Sequence, residues 1–538
     1  MALGVAELVA ALLRPQASPL VTVGQTVIDA TPTSMEQWAI RTFGSNDKAV
    51  LMGGILLVLA VFAAVLGYLA SRYLPTGVAG VMLFGIVGIV AALSRSVSET
   101  TDILPAIAAA VAGSLAMIFL IRALPQREPV QARSSSTVEG TASNPPSGDG
   151  IEENTDTAAD DSQIVTAKAA ESVEPVRSPA SPGYSRRGLL ILGSALGVTA
   201  VATATLGRWL QGVRYNAAAS REAVKLPTPV DRMTPIPAGA KLDVEGISSF
   251  VTPNADFYKV DTTLVVPQVR TQDWQLRIHG MVDRPITLTF DELLELPMIE
   301  RMITMTCVSN QVGGQLLGNA IWLGVALGPL LKARGISPRA DQLVCRSVDG
   351  MTIGAPLRQL LDGRDAMLAI GMNGEPLPFN NGFPARVVVP GLYGYCSACK
   401  WIVDAEVTTF DAFDTYWVKR DWAQIAPIKI SARIDTPAPL SSPGAGRVNI
   451  AGIAWAQDRG ISKVEISVDE GPWREAKLAE QVTIDVWRQW MFGWDATPGR
   501  HKLTVRATDG NGVTQVEQRV KPFPNGSSGW HNIVVTVS

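Results

Sequence analysis

The chain has 538 residues, which predicts several domains because a single hydrophobic core does not grow to that size. Its formal net charge is −3, so no overall basic excess indicates a nucleic-acid-binding protein. The mean hydropathy is +0.19, and long apolar runs are confined to roughly the first 210 residues. The sequence therefore predicts a membrane region followed by a globular region.

Three long runs without a charged residue predict transmembrane helices within residues 1–121. They are Ala49–Ala70, Gly77–Leu93 and Ile103–Ile121. Each is close to the roughly 20 residues that cross the hydrocarbon layer of a bilayer. Met1–Leu13 is also apolar but is shorter and contains Glu7, which leaves two interpretations, the end of a longer span or an interfacial helix.

A fourth apolar run, Leu189–Leu206, follows the arginine pair Arg186 and Arg187. Residues 185–207 resemble a twin-arginine export signal, which carries proteins across a membrane after they have folded and bound a cofactor. The alternative is an ordinary helix with a positively charged cytoplasmic flank. Both interpretations place everything after Gly207 on the extracytoplasmic side of the cell membrane, as part of a multi-pass protein.

Counting back from this helix predicts a cytoplasmic loop at Arg72, an external loop at Arg95 and a cytoplasmic segment at 122–184. That segment is rich in Ser and Pro, carries an acidic run at 156–161 and has almost no aromatic residues. Such a composition cannot bury enough apolar surface to fold, so residues 122–184 are predicted to be a disordered linker.

Residues 244–425 mix strands with short helices, which predicts an α+β domain. Trp274–His279 alternates apolar and polar side chains, and Arg301–Thr306 also fits a strand. Thr289 and Glu292 form a possible capping box before a short helix. The apolar residues of Trp322–Ala333 predict a further helix.

Residues 426–538 contain strand patterns without helical ones. Val464, Ile466 and Val468 alternate with polar residues, as do Leu503 and Val505, and turn signals follow each run. This spacing predicts a β-sandwich.

The globular region holds all four cysteines of the chain. Cys307 follows a predicted strand and precedes small and polar residues, so a loop presents its thiol. A thiolate there suits a metal ligand or a nucleophile, and a cysteine hydrolase would need a base such as His279. Cys396 and Cys399 have zinc-like or redox-like spacing, but other zinc ligands are not evident.

The disulfide state of the other three cysteines stays open at this point. Either Cys396 or Cys399 pairs with Cys345 outside the cytoplasm, or all of them stay reduced and buried, and only geometry decides this.

Several blocks in a fixed order give a more specific pattern between about residues 244 and 413. The blocks are Thr252–Tyr258, Gly280–Pro285 with Leu288–Leu293, the Cys307 loop, Asn381–Pro390, and Gly391–Gly394 leading to Lys400 and Trp401. In these blocks the region resembles the molybdopterin-binding domain of the sulfite oxidase family. The region from about residue 426 is similar to the family's immunoglobulin-like dimerisation domain, and the membrane half resembles anchored actinobacterial members.

The resemblance implies a molybdenum–molybdopterin cofactor, with the Cys307 thiolate binding the metal beside the two dithiolene sulfurs. It implies that six residues hold the pterin and its phosphate: Asn254, Tyr258, Asn381, Arg386, Ser397 through its backbone, and Lys400. Arginine, lysine and backbone N–H groups suit such an anionic cofactor. Arg386 is also the best candidate for a further anion contact during catalysis.

Departures from the family pattern bear on the substrate. Sulfite oxidases carry two arginines shortly after the metal-binding cysteine, whereas this chain has Gln311 and Val312 there. The block with Asn254 also lacks the family's histidine near the pterin. These departures argue against sulfite as the substrate, because fewer cations face a divalent anion.

The resulting hypothesis is a membrane-anchored, extracytoplasmic oxidoreductase that transfers an oxygen atom and two electrons to or from a small substrate. It would exchange electrons with a separate redox partner, because the sequence has no haem-attachment motif, and it would form a homodimer through the C-terminal domain. Two alternatives are a cofactor-free envelope scaffold and a transmembrane electron-transfer subunit. The spans contain no histidine for haem ligation, which argues against the second.

Overall fold

The computed structural model describes residues 1–32, 35, 38–39, 42–43, 47–95, 99–123 and 186–538. Residues 124–184 of the predicted linker and Ser185 of the export signal lie outside these residues, whereas Arg122 and Ala123, which were predicted to begin the linker, still belong to a helix. The helices of the N-terminal half are α1 (Ala2–Leu13), α2 (Pro19–Ala30), α3 (Asp47–Arg72), α4 (Leu74–Leu93), α5 (Leu104–Ala123) and α6 (Arg186–Arg214). Helices α3 to α6 are long and apolar enough to be candidate membrane spans, and each contains a run predicted from the sequence.

Small residues allow close contact between these helices. A Cβ atom built on Gly85 of α4 would lie 2.6 Å from the Cβ of Ala110 in α5, and one on Gly77 would lie 2.3 Å from the Cβ of Ala70. Close backbone approach of this kind is typical of helix packing in lipid, where dispersion contacts replace the hydrophobic effect. Helix α1 packs on α6, since a Cβ atom on Gly4 would lie 2.5 Å from the Ala200 carbonyl oxygen.

One mixed sheet and one antiparallel sheet form the first part of the globular region. The strands are β1 (Gln275–Gly280), β2 (Ile286–Thr289), β3 (Met298–Thr306), β4 (Leu317–Ala326), β5 (Gln342–Ser347), β6 (Thr352–Pro356), β7 (Met367–Met372), β8 (Glu375–Pro376), β9 (Arg386–Val388) and β10 (Ile402–Thr408). One sheet has the order β2-β1-β10-β5-β6, and the other has the order β3-β4-β7-β8 with β9 beside β7. The pairing of β1 with β10 is parallel and the others are antiparallel, so the predicted α+β class is observed.

The short helices of this part are α7 (Ala218–Ala223), α8 (Phe290–Glu295), α9 (Leu327–Lys332) and α10 (Leu357–Leu361). The predicted capping box is present: the Glu292 amide donates to the Thr289 hydroxyl, and the Glu292 carboxylate accepts from the Thr289 amide. Phe290 and Leu293 of α8 are buried, so this turn closes one side of the core.

The predicted helix at Trp322–Ala333 is wrong in its first half. Trp322–Ala326 is the end of β4, and only Leu327–Lys332 is helical. Nearly every residue of β4 is buried, because β3 and β7 flank it and side chains cover both of its faces. A strand that is buried on both faces lacks the apolar–polar alternation by which a strand is recognised, so its sequence mimics a helix.

Two four-stranded antiparallel sheets form the last part of the chain. The strands are β11 (Ser431–Thr436), β12 (Gly446–Trp455), β13 (Ile461–Val468), β14 (Arg474–Glu475), β15 (Lys477–Leu478), β16 (Arg488–Ala496), β17 (Gly499–Asp509) and β18 (His531–Val537). The orders are β11-β12-β16-β15 and β14-β13-β17-β18. Trp490 and Ile450 of the first sheet share a buried core with Val464 and Val505 of the second, as the alternation of apolar residues predicts.

Candidate cofactor site

Cys307 comes directly after β3 and opens a loop that returns to the chain at β4. Its amide donates to the Leu316 carbonyl over 2.9 Å, and its carbonyl accepts from the Asn310 amide over 3.1 Å. The Asn310 side-chain oxygen accepts from the Leu316 amide over 2.9 Å, which closes the loop at its far end. The loop is therefore fixed by its own hydrogen bonds and presents the Cys307 sulfur in one orientation.

The C-terminal sandwich holds the same loop from outside. Arg433 donates to the Gly314 carbonyl over 2.7 Å, and the Ser527 hydroxyl donates to the Asn310 carbonyl over 2.6 Å. Gly313 has a left-handed φ of 80°, and a Cβ atom there would lie 2.3 Å from the His531 ring. The loop conformation thus depends on residues that lie more than 100 positions further along the chain.

The Cys307 thiol is 8% exposed, and burial raises its pKa above the ordinary value although hydrogen bonds from Ser309 oppose the rise. A reactive free nucleophile needs a lowered thiol pKa, whereas a metal ligand is deprotonated by the metal itself. His279 is bonded to Asp404, 2.8 Å away, in the sheet that does not contain Cys307. The thiol therefore suits a metal ligand better than a cysteine hydrolase.

Arg386, the first residue of β9, is a buried cation with an exposed fraction of 5%. Its guanidinium donates to the Asn381 carbonyl over 3.1 Å and lies 5.3 Å from the centre of the Trp322 ring. Burial lowers its pKa to about 10, and no carboxylate among the described residues forms an ion pair with it. An unpaired buried charge is costly, so this site favours an anion from outside the chain.

Tyr258 lies in the same electrostatic neighbourhood. Burial raises the pKa of its hydroxyl, a thiolate at Cys307 would raise it further, and Arg386 lowers it. Its ring stacks on Phe257 at a centroid distance of 5.2 Å, and Phe257 in turn contacts Trp322 edge-on. Tyr258 is therefore a neutral phenol within electrostatic range of both Cys307 and Arg386.

Asn381 is 2% exposed, and its side-chain oxygen is buried without a hydrogen-bond partner among the described residues. A buried acceptor without a partner is costly, and a donor from a bound ligand can satisfy it. Asn381 lines an open cavity of about 370 Å³. The other residues at its wall are Arg221, Asn254, Ala255, Lys259, Glu375, Pro378, Phe379 and Asn380.

Asn254 also lines this cavity and is held by polar contacts. Its amide nitrogen donates to the Met372 carbonyl over 3.2 Å and to Glu375 over 2.5 Å, and its oxygen accepts from Asn373 over 2.8 Å. Asn254 and Asn381 are 127 positions apart in sequence, and the structure brings both to one cavity, as the resemblance implies.

Lys400 is held beside Arg386 by a glycine and a carboxylate. Its ammonium donates to Asp261 over 2.8 Å and to the Asn380 carbonyl over 3.1 Å. Gly382 has a φ of 111°, and a Cβ atom there would lie 3.0 Å from the Cβ of Arg386 and 3.2 Å from that of Lys400. Only glycine fits between these two cations without displacing them.

Ser397 is buried close to this group, and its hydroxyl donates to the Tyr393 carbonyl over 3.0 Å. Cys345, Cys396 and Cys399 are free and buried, so of the two possibilities left open, the reduced and buried state is the one observed. The described residues contain no group of three or more His, Cys, Asp or Glu side chains that could form a zinc site around Cys396 and Cys399.

Three residues of this site were not found from the sequence. Asp261 and Gly382 each carry an ordinary surface or turn signature, and His531 lies on a strand of the sandwich. Gly382 follows Asn381 directly, so a turn signal existed in the block that the resemblance singled out. For Asp261 and His531 only the three-dimensional fold reveals the partner.

Comparison with known proteins agrees with this geometry. Residues 263–417 match the family described as "Oxidoreductase molybdopterin binding domain", a range that contains Cys307, Asn381, Arg386 and Lys400 but not Asn254. The chain is 27% identical to mitochondrial sulfite oxidase of Homo sapiens over 343 residues, which are 54% of this chain and 62% of that protein. It therefore spans less than two thirds of the length of this relative.

A second relative is the uncharacterised oxidoreductase YuiH of Bacillus subtilis, with 33% identity over 135 residues, 25% of this chain and 65% of that protein. A solved structure, the sulfane dehydrogenase SoxCD from Paracoccus pantotrophus, aligns with a TM-score of 0.47 and 22% identity over 54% of this chain and 84% of that chain. Residues 263–417 thus carry a molybdopterin-binding oxidoreductase domain, and the chain is similar to sulfite oxidases over about half of its length.

Proposed function

We propose that this protein is a membrane-anchored, extracytoplasmic molybdenum-cofactor oxidoreductase that transfers an oxygen atom and two electrons to or from a small substrate. The observation that carries the proposal is Arg386, a buried cation that no described carboxylate neutralises. The orphaned oxygen of Asn381 lies in the same region. The phosphate of a bound pterin would neutralise the Arg386 charge, and an N–H group of the pterin would donate to the Asn381 oxygen. A cofactor-free scaffold would retain the free-energy cost of both unpaired groups.

Each of the proposed cofactor residues has a distinct task. Arg386 and Lys400 would neutralise the phosphate, the side-chain oxygens of Asn381 and Asn254 would accept hydrogen bonds from the pterin, and the Cys307 thiolate would bind the metal. Tyr258 and the Ser397 backbone would adjoin these residues without lining the open cavity. When bound, the molybdenum cofactor supplies the two-electron redox chemistry, and the protein supplies orientation and exclusion of water.

The uncharged surroundings of the Cys307 loop support a substrate other than sulfite. The cleft between this loop and the sandwich holds only about 10 Å³, room for about one water molecule. Seven residues of its wall are polar but uncharged: Thr306, Asn310, Gln311, Tyr393, Ser431, Gln515 and Ser527. The nearby Arg433 already donates to Gly314, Ser248 and Asp435. The cleft therefore offers hydrogen bonds but no unpaired cation, and such a lining discriminates against a dianion.

The contacts between the two halves support the proposed topology. Lys48 at the start of α3 donates to Asp261, and Asp29 at the end of α2 accepts from the Tyr416 hydroxyl over 2.9 Å. Arg95, just after α4, is influenced electrostatically by Asp349 of the globular region. Helix α6 leads directly into that region, so the start of α3 and the ends of α4 and α6 face the same side, which we assign to the outside.

We also propose the finer organisation of the chain. Residues 244–425 form the cofactor domain, and residues 426–538 form an immunoglobulin-like domain through which two copies associate. Electrons pass to or from a separate redox partner. The sandwich architecture and the sulfite oxidase relatives support these assignments.

The test is to purify the full chain from cells that make the cofactor and to measure molybdenum and pterin per polypeptide. We expect close to one of each in the wild type, and loss of at least about nine tenths of the molybdenum in Cys307→Ser. Cys345→Ser is the matched control, because that buried cysteine lies in β5 and should leave the metal content unchanged. A folded wild-type protein without molybdenum would overturn the proposal.

A further inference from the structure

Asp261 bridges two lysines that come from different halves of the chain. One carboxylate oxygen accepts from the Lys48 ammonium over 2.5 Å, and the other accepts from the Lys400 ammonium over 2.8 Å. The Asp261 and Lys400 side chains are only 11% and 12% exposed, so solvent screens this contact weakly. Lys48 also donates to the Thr263 carbonyl over 2.8 Å, which fixes the segment that carries Asp261.

The bridge changes the charge that the cofactor pocket presents to an anion. Two cations, Lys400 and Arg386, influence each other there, and two carboxylates, Asp261 and Asp349, act on Lys400. Lys400 shares the Asp261 carboxylate with Lys48, so the negative charge of Asp261 is divided between two ammonium groups. Loss of Lys48 would leave that carboxylate to Lys400 alone and would weaken the attraction of this side of the pocket for a phosphate.

A second contact links the helical half to the wall of the open cavity. Arg221 of α7, seven residues after the end of α6, donates to Glu375 over 2.8 Å and to the Leu377 carbonyl over 2.8 Å. Glu375 also accepts from the Asn254 amide over 2.5 Å. Glu375 therefore plays the same part as Asp261: it links a cation near a long apolar helix, Arg221, to a proposed cofactor residue, Asn254.

We propose that the helical N-terminal half positions the anion-binding side of the cofactor pocket, with Lys48 as its charged contact through Asp261. This inference rests on the proposed function and extends it. Lys48 is a positioning residue: it touches neither substrate nor cofactor, orients Lys400 and keeps the pocket positively charged. The helices are then part of the cofactor-retaining structure in addition to being an anchor.

The experiment uses the full-length holoprotein in detergent and compares wild type with Lys48→Met, Lys48→Gln and Lys48→Arg. Three quantities are measured: pterin and molybdenum content at purification, the rate of pterin release after dilution, and the thermal midpoint of the cofactor-free protein. The matched control is Asp29→Asn, which breaks another contact between the two halves, to Tyr416 and Arg420, away from the proposed cofactor residues.

We expect Lys48→Met and Lys48→Gln to release pterin about tenfold faster than wild type. Removal of a residue that supports a direct ligand of a bound group typically weakens binding by about this factor. Lys48→Arg should restore slow release because it keeps the charge, and Asp29→Asn should release pterin at the wild-type rate. The midpoints of the cofactor-free proteins should agree to within about 2 °C, because one partly exposed ion pair contributes little to stability.

Equal release from wild type and Lys48→Met would overturn the inference, as would equally fast release from Asp29→Asn. If the wild type contains pterin and molybdenum but the Lys48 variants release pterin at the wild-type rate, only the inference about Lys48 fails and the proposed function stands. A wild type without either group refutes the proposed function first.

Discussion

The Arg386 guanidinium lies 5.3 Å from the centre of the Trp322 ring, on the face of a residue that is itself completely buried. The ring stabilises the cation only in part, because a cation–π contact contributes about 1–2 kcal/mol and desolvation of a charge costs more. The cofactor-free protein therefore retains an electrostatic penalty at this point, which a bound phosphate removes.

This penalty predicts opposite effects of one substitution on stability and on binding. Arg386→Met should raise the thermal midpoint of the cofactor-free protein by about 2–4 °C, because an uncompensated charge leaves the core. The same variant should purify without pterin. Arg364→Met is the control: Arg364 is paired with Asp362 and Asp458, so its loss should lower the midpoint. A lower midpoint for Arg386→Met would show that the cation is already stabilised within the chain.

A second prediction concerns the uncharged cleft beside the Cys307 loop. Val312→Arg should strengthen binding of sulfate, a redox-inert dianion, by at least about tenfold, because one cation then faces the cleft. Val312→Met adds bulk without charge and should leave sulfate affinity unchanged. Isothermal titration calorimetry at two salt concentrations measures the effect, which should weaken as salt rises. Tight sulfate binding by the wild type would contradict the proposed discrimination against a dianion.

A third prediction separates backbone strain from steric contact in the loop. Gly313 and Gly374 have nearly the same left-handed φ, 80° and 83°, but only at Gly313 would a Cβ atom meet a neighbour, the His531 ring at 2.3 Å. Gly374→Ala should cost about 1 kcal/mol from backbone strain. Gly313→Ala should cost about 2 kcal/mol more and should reduce molybdenum content, because the loop must move away from the ring. Thermal unfolding and metal analysis check both variants.

A fourth prediction concerns pH. Burial and the neighbouring Arg519 and Arg433 lower the pKa of His531 from 6.5 to about 4. Between these values the unfolded chain binds a proton that the folded protein does not, so the folded state loses up to about 3 kcal/mol as pH falls from 6.5 to 4. Asp485, whose pKa burial raises to about 6, acts in the opposite direction over an overlapping range.

The contribution of His531 to the pH dependence of stability is the difference between the wild type and a variant that cannot titrate at this position. His531→Gln keeps an acceptor for the Ile434 amide but cannot titrate. The midpoint of the wild type should fall more steeply than that of His531→Gln between pH 6.5 and 4, and the two curves should run parallel above pH 7. Parallel curves throughout would mean that the pKa of His531 is the same in the folded and the unfolded protein.

Local patterns were sufficient for much of the fold. The four apolar runs, the capping box at Thr289 and the alternation around Val464 each depend on near neighbours in sequence, and each is observed. The strand that contains Trp322 was predicted to be a helix, because burial on both faces removes the apolar–polar alternation that identifies a strand. Of the site, the resemblance supplied candidate residues, but the pairing of Asp261 with Lys48 and Lys400 joins residues 213 and 139 positions apart, which local patterns cannot reveal.

The contact of Arg433 with Gly314 has a further consequence for how the two globular parts can be separated. Together with Ser527 and His531, it makes the conformation of the Cys307 loop a property of the sandwich as much as of its own sheet. A fragment that ends near residue 425 would lose these three supports at once. Any recombination that exchanges the C-terminal sandwich between relatives must therefore carry these three side chains with it, or the recipient inherits a loop of altered shape.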